Sequence, residues 1–426
     1  MPIFGTFNSG MQSNTNRGNL PNDSQIPYVL WLASWYPCRI NKFNGDFVQR
    51  AASAVATRIP VHVFYLMKDE NGVVTKSHKE ETHQEGNLKE TRLYYHPLKT
   101  GFNPLDRLIS AYQYTRLGRK WLRQWKTSLP DKKPVIVEVA VAMRAGTLAL
   151  WMQQKWGLRY VVKEHWTGYY QHLVAREMKQ STLFWKMTEN ILSKADALLC
   201  DSRQLGEWIN SHYLKIPYFE IPNVVDTRYF FYKQKPKTQG EFNFIHVSTL
   251  GYQKNPEGII RAFEKYTMQS QNQRVSLSFI GPNFQALQSL VNNNPNLKEK
   301  VIFFGEIPYK EVAAIMQNSD ALILFSRHEN LPCVMLEAFC CGLPVIATRV
   351  GGIAYHLPPS RGILIDSEDE TQLEQAIGKI ISQHENYNRV SLSAQAMAQY
   401  SISTIANQYL ETYYKIYPHL LLKIAD

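Results

Sequence analysis

The chain has 426 residues, 44% of them hydrophobic and 12% aromatic, with a formal net charge of +11. Single cores stop growing at ~250 to 300 residues, so more than one domain is expected, and no uninterrupted apolar run reaches the ~18 residues that span a bilayer. The five cysteines, Cys38, Cys200, Cys333, Cys340 and Cys341, form no CxxC pair and are odd in number; this argues against a disulfide framework or a zinc ribbon and for reduced thiols in a cytoplasmic protein.

Residues 1–24 are polar and lack the charged start and apolar middle of a signal peptide, and they read as a loose tail. Short β-rich runs then alternate with helical stretches. The first series predicts strands at 28–33, 61–66, 135–139, 160–162 and 197–200, and the second at 242–247, 275–280, 301–304, 321–325, 345–347 and 363–365. Such alternation predicts an α/β protein with two parallel sheets, each covered by helices on both faces. The division expected is 25–232 for the first domain, 233–400 for the second and 401–426 for a closing helical segment. Lys233, Lys235, Pro236, Lys237 and Gly240 supply linker chemistry between the domains.

Within the first series, Asn44-Gly45 permits a turn with positive φ, and Asp46 with Gln49 has capping-box spacing for a helix over 47–56. A plain turn glycine is the alternative to a ligand loop there. The segment 107–133 interleaves Arg107, Arg116, Arg119, Lys120, Arg123 and Lys126 with aromatic and aliphatic residues. That mixture suits either the interface of an anionic membrane or a helix packed on the sheet with a solvated basic face. Nucleic acid is not favoured, since the chain carries no recognised motif for it. His165 follows the strand 160–162, at the edge where such sheets make ligand contacts; a structural histidine bonded to a backbone carbonyl is the alternative.

In the second series, Lys254 precedes Asn255-Pro256, a good N-cap and first-turn pair. A lysine at a helix N-terminus opposes the dipole, and an anionic ligand would resolve that conflict. Gly305-Glu306-Ile307-Pro308 lies between a strand and a helix starting near Tyr309. The most informative stretch is SRHENLPCVMLEAFCCGLPVIAT at 326–348. It reads as a loop, a helix with Pro332 in its first turn, a left-handed stop at Gly342 and a buried strand. The helix N-terminus then lies at the carboxyl edge of a parallel sheet, where free N–H groups attract phosphate. Glu329 and Glu337 would repel that phosphate and are expected to accept hydrogen bonds from sugar hydroxyls; one loop acid and one solvated helix acid are the alternative.

Five motifs, in order, resemble the retaining GT-B glycosyltransferases of family 4, the group 1 glycosyltransferases. They are Ser34-Trp35-Tyr36-Pro37 with Gly45-Asp46-Phe47, Glu164-His165-Trp166-Thr167, residues 221–226, Lys254-Asn255, and the E-x7-E block with Gly351-Gly352-Ile353. The resemblance extends over most of the chain and implies two Rossmann-like lobes facing across a cleft, with a C-terminal helix crossing back to the first. It implies that Gly45 faces the donor diphosphate or the acceptor, that His165 lies by the donor sugar, that Lys254 neutralises the diphosphate and that Gly305 borders the nucleobase. Glu337 would hold ribose hydroxyls and Glu329 the donor sugar, with Glu329 and His165 as the catalytic pair. The amides of Asn330, Leu331, Cys333 and Val334 would engage diphosphate and sugar. Two departures stand out. The family usually has an arginine where this chain has Thr249, for which Arg327 or Arg349 is expected to compensate, and commonly an acid where Tyr355 stands.

The expected activity is transfer of a sugar from a UDP- or GDP-linked donor to a hydroxyl of a glycan or lipid-linked glycan in cell-surface polysaccharide synthesis, in the cytoplasm either free or peripheral on the inner face of the membrane. No cofactor and no metal is expected, because no DxD, HExxH or Cys/His ligand spacing is present. A sugar-nucleotide epimerase and a non-catalytic sugar-nucleotide binder are the competing readings.

Overall fold

The computed structural model describes residues 27–74, 78–129, 135–170, 180–234, 240–270 and 274–418. The expected N-terminal tail, Lys132 and Lys133 of the basic segment, Lys235 to Lys237 of the linker, and the last eight residues lie outside them.

The first lobe is built on strands β1 (Tyr28–Ala33), β2 (Val61–Lys68), β3 (His78–Glu85), β4 (Leu88–Tyr95), β5 (Val135–Ala140), β6 (Tyr160–Glu164), β7 (Leu198–Cys200) and β8 (Tyr218–Glu220). They pair in the order β3-β4-β2-β1-β5-β6-β7-β8. All neighbours are parallel except β3 and β4, an antiparallel hairpin. The second lobe carries β9 (Glu241–Val247), β10 (Arg274–Ile280), β11 (Val301–Phe303), β12 (Ala321–Leu324), β13 (Val345–Thr348) and β14 (Gly362–Ile365), in the order β11-β10-β9-β12-β13-β14 and parallel throughout.

Helices α1 (Asp46–Ala56), α2 (Asn103–Thr127), α3 (Gly146–Trp156), α4 (Thr182–Lys194) and α5 (Arg203–His212) belong to the first lobe. Helices α6 (Pro256–Gln269), α7 (Gln285–Asn292), α8 (Tyr309–Gln317), α9 (Cys333–Cys340), α10 (Ile353–His356), α11 (Glu370–Gln383) and α12 (Arg389–Tyr400) belong to the second, and α13 (Ile402–Ile416) follows them. Alternate residues of β1 explain the layering. Val29 and Trp31 point into one core with α1 and α13, whereas Leu30 and Leu32 point into another with α2 and α3. Strands buried on both faces read as continuous apolar runs, which is why their spacing was legible.

In α2 the face bearing Trp121, Leu122 and Trp125 is buried, and Trp121 stacks on Phe64 with ring centroids 3.9 Å apart. Part of the basic aromatic segment therefore packs on the sheet. The chain passes to the second lobe at Val224 and Val225, whose side chains fall in different cores, and Phe230 is already in the second. It returns at Ser401, which pairs with Val225, so both crossings lie side by side as one hinge. Helix α13 then docks on the first lobe, where Tyr413 Oη donates to Glu138 at 2.5 Å and Tyr417 Oη to Asp196 at 2.8 Å.

The capping box at the start of α1 does not form. Gly45 caps the helix at φ 71° without a side-chain bond, Asp46 turns to Arg50 at 2.5 Å, and Gln49 Nε2 donates to Glu90 at 2.7 Å. Glu90 lies on β4, a strand the sequence reading left out, and its buried carboxylate recruits the glutamine.

Candidate active site

Each sheet reverses its strand order beside its first strand. β1 has β2 on one side and β5 on the other, and β9 has β10 and β12. A crevice opens at the carboxyl ends of the strands at such a switch point. The loops that follow β1, β6 and β7 meet those following β9 and β12 around a cleft of about 730 Å³. Its volume is in the range of a small-molecule site.

On the second-lobe side, a short 3-10 turn, Tyr252–Lys254, carries Lys254 into the cleft. Asn255 follows at φ 50°, its Oδ1 accepting from Gly258 N at 3.3 Å, so α6 is capped and the lysine is held outside it. Lys254 Nζ pairs with Glu329, which also accepts from Ser326 Oγ at 2.8 Å and is only 5% exposed. Pro332 is the N-cap of α9 rather than part of its first turn, and Gly342 takes the left-handed conformation at φ 73° after the helix. Asn330, Leu331 and Cys333 line the cleft with Glu329. Burial pushes the Cys333 thiol up to about 12, so it stays neutral.

The first lobe answers with a buried polar cluster. His165 Nδ1 lies 2.7 Å from Asp201 Oδ2, and Lys163 Nζ lies 2.8 Å from Asp201 Oδ1. Burial pushes Asp201 up, but His165 and Lys163 outweigh it and hold the carboxyl below the usual carboxylate range. With Nδ1 engaged, Nε2 is the His165 nitrogen that can meet a ligand. Asn330 Nδ2 reaches both His165 O and Asp201 Oδ2 at 3.4 Å, and Ser202 Oγ donates to Asn330 Oδ1 at 3.0 Å. Asn223 Nδ2 donates to Leu331 O at 3.1 Å. Glu164 does not face the cleft; burial raises its pKa, and it accepts from the amides of Ala142, His165 and Trp166 and from Tyr169 Oη.

Gly45 lines the cleft, and a Cβ built there would stand 2.5 Å from the Trp35 carbonyl carbon, so the loop needs glycine for its approach. Val334, Glu337 and Gly305 are not among the residues that line the cleft, whereas Glu306 is. Glu337 accepts from Tyr309 Oη at 2.7 Å and lies 3.8 Å from Arg50 Nη2 of the first lobe. Burial raises its pKa, against the pull of Arg50. Gly351 and Gly352 support the loop from behind: a Cβ on Gly351 would stand 1.9 Å from Glu329 O, and Gly352 N donates to Asn330 O at 2.8 Å.

Among the described residues, the compensating arginine is not supplied. Arg327 is tied to Glu368 at 2.8 Å and Asn255 at 3.1 Å, and Arg349 lies exposed 3.9 Å from Asp366. Neither joins the cleft wall, whereas Thr249 does. The sequence reading missed Asp201, Ser202, Arg50 and Tyr309. Asp201 had a usable signal, since it follows β7 as His165 follows β6; Arg50 had none beyond its i+4 spacing from Asp46. Among the described residues, no three His, Cys, Asp or Glu side chains converge into a metal-holding group.

This is the GT-B arrangement: two Rossmann-like lobes, a cleft at both switch points and a last helix returned to the first lobe. Residues 228–397, in the second lobe, match the family model described as glycosyl transferases group 1. Over 206 residues the chain is 27% identical to N-acetyl-alpha-D-glucosaminyl L-malate synthase of Bacillus anthracis, an alignment covering 46% of this chain and 53% of that protein. Over 230 residues it is 22% identical to alpha-monoglucosyldiacylglycerol synthase of Streptococcus pneumoniae, covering 50% and 51%. The chain thus spans about half the length of these curated relatives. Among solved structures, sucrose-phosphate synthase of Thermosynechococcus elongatus superposes with a TM-score of 0.73 at 18% identity, over 92% of this chain and 100% of that one. HepE of Anabaena in complex with UDP-glucose gives 0.63 at 15% identity, over 92% and 100%.

Proposed function

We propose that this protein transfers a sugar, with retention of anomeric configuration, from a nucleoside-diphosphate donor to a hydroxyl of a glycan or glycolipid. The observation that carries the reading is the facing of Lys254 with Glu329 by His165 with Asp201 across one cleft. The donor diphosphate lies between Lys254 and the free amides of the first turn of α9, where ammonium and helix dipole both favour the charge that grows as the leaving group departs. Lys254 then exchanges Glu329 for phosphate oxygens, which frees the Glu329 carboxylate to accept from sugar hydroxyls. His165 Nε2, oriented by Asp201, meets the sugar from the other side. No side chain is needed as a nucleophile when departure and same-face attack are coupled, with the leaving phosphate taking the acceptor's proton. Orientation across the closed cleft supplies most of the acceleration. HepE is similar in fold and its complexes hold UDP and UDP-glucose, which supports testing uridine donors first.

A screen of nucleotide sugars by thermal shift identifies the donor, since a ligand of the folded state alone raises its stability. Lys254→Ala is then expected to weaken donor binding by at least about tenfold, the loss of one charge-assisted contact of ~1.5 to 3 kcal/mol. Unchanged affinity in a folded variant refutes the diphosphate placement. Thr249 on the cleft wall, which has no arginine among the described residues that line it, favours a second reading, a sugar-nucleotide binder without transfer. Product formation from donor and acceptor that disappears in Glu329→Gln excludes it.

A further inference from the structure

Behind the cleft, the first lobe holds a second cavity of about 590 Å³ between α2, α3 and the start of α4. Its wall is mostly apolar, with Tyr114, Leu150, Trp151, Phe184 and Met187; among the described residues that line it are three arginines, Arg107, Arg119 and Arg144, and no carboxylate. The positive charge is not spent on the wall itself. Arg119 Nε is buried without a hydrogen-bond partner among the described residues, its guanidinium lying 5.6 Å from the Trp151 ring centroid. Arg144 also acts on Glu70, which lies outside this wall; guanidinium groups on a wall that itself carries no acid suit phosphate oxygens, for which their fork geometry is adapted.

Around the mouth, large apolar side chains stand in solvent. Leu183, on the cavity wall, is 67% exposed, and Leu108 and Tyr112, at 66% each, stand exposed on α2, the helix that also supplies Arg107 and Tyr114 to that wall. Residues 105, 108 and 112 share one helical face of α2. Exposed apolar side chains contiguous with a cavity mark a binding surface more often than a solvated one. The cavity also has neighbours on its cleft side. It shares Met143, Arg144 and Phe184 with a smaller cavity of about 220 Å³, and that one shares Trp35 and Trp166 with the catalytic cleft.

We propose that this groove holds a phosphorylated lipid: its phosphate or diphosphate on Arg107, Arg119 and Arg144, its hydrocarbon along Trp151, Leu150 and Leu183, and the group it carries directed past Trp35 and Trp166 into the cleft. The proposal rests on the transfer reading for the role of that group as acceptor. The binding of the lipid itself does not depend on it.

Farnesyl diphosphate is the probe, titrated against the full chain with tryptophan fluorescence as readout, beside farnesol and inorganic diphosphate. Farnesyl diphosphate is expected to bind at least about tenfold more tightly than either control, because only it fills both halves of the groove. The variant Arg107→Glu/Leu183→Glu changes two exposed residues and is expected to lose about tenfold or more in that affinity while keeping its binding of the nucleotide sugar found by the screen. Equal binding of farnesol, equal binding of inorganic diphosphate, or an unchanged double variant overturns the proposal. If no nucleotide sugar binds the wild type, the transfer reading fails, and the groove is then judged on farnesyl diphosphate alone.

Discussion

Replacing Glu138 by glutamine tests how the returning helix is held on the first lobe. Glu138 is fully buried on β5, accepts from Tyr413 Oη of α13 at 2.5 Å, and burial pushes its pKa from the ordinary 4.5 up to about 7, against the pull of Tyr413 and Lys163. A carboxyl whose pKa is raised by folding binds its proton more tightly in the native state. Its contribution is therefore fully present below pH 4.5 and is lost as pH rises through 7. At about 1.4 kcal/mol for each pH unit between the two values, the lobe loses about 3 kcal/mol over that interval. Glu138→Gln keeps an acceptor for Tyr413 without a charge, so it is expected to match the wild type near pH 4 and to exceed it by about 3 kcal/mol at pH 8. Urea unfolding followed by tryptophan fluorescence reads the first lobe alone, because all nine tryptophans, from Trp31 to Trp208, lie in it. A stability difference that does not change with pH, or a glutamine variant weaker at pH 8, refutes the reasoning.

Gly45→Ala forces a left-handed alanine against the Trp35 carbonyl at 2.6 Å; a loss of at least ~1 to 3 kcal/mol in first-lobe stability is expected in the same unfolding measurement, with weakened donor binding by calorimetry. Asp201→Asn leaves Lys163, 2% exposed, without its anion, and is expected to cost ~3 to 5 kcal/mol, read as a lowered urea midpoint. Arg50→Ala removes the first-lobe cation that lies over Tyr309, 4.9 Å from its ring centroid, and 3.8 Å from Glu337. The lobes are expected to part more readily, giving a larger radius of gyration in X-ray scattering without donor; an unchanged radius counts against Arg50 as a bridge.

The strands of the second lobe were all legible: β12 and β13 are short apolar runs buried on both sides, β10 alternates apolar and polar residues, and each is closed by a glycine, proline or polar loop. The hairpin β3–β4 was not. Nearly every side chain of β3 is exposed and charged or polar, as befits an edge strand guarded against further pairing, so no apolar alternation announced it. Lys254 was found because a lysine before a helix N-terminus opposes the dipole, and Glu329 because of its spacing from Glu337 beside an expected phosphate site. Their pairing with each other was not foreseen, since the loops after β9 and β12 become neighbours only through the strand order.

By itself, then, the chain's sequence determined most strands of both sheets, where the loops bearing Gly45, His165, Lys254 and Glu329 fall, and that two such units follow one another. These are consequences of patterns within a few residues, set by backbone sterics, capping and burial. Only the tertiary structure decided that Asn330 would reach His165 across 165 residues of chain, that Arg50 would meet Glu337, that Arg327 would be spent on Glu368, and that three arginines of the first lobe would share one apolar groove. Contacts at such separations follow from sheet order and from the hinge at Val225 and Ser401, which no local spacing encodes.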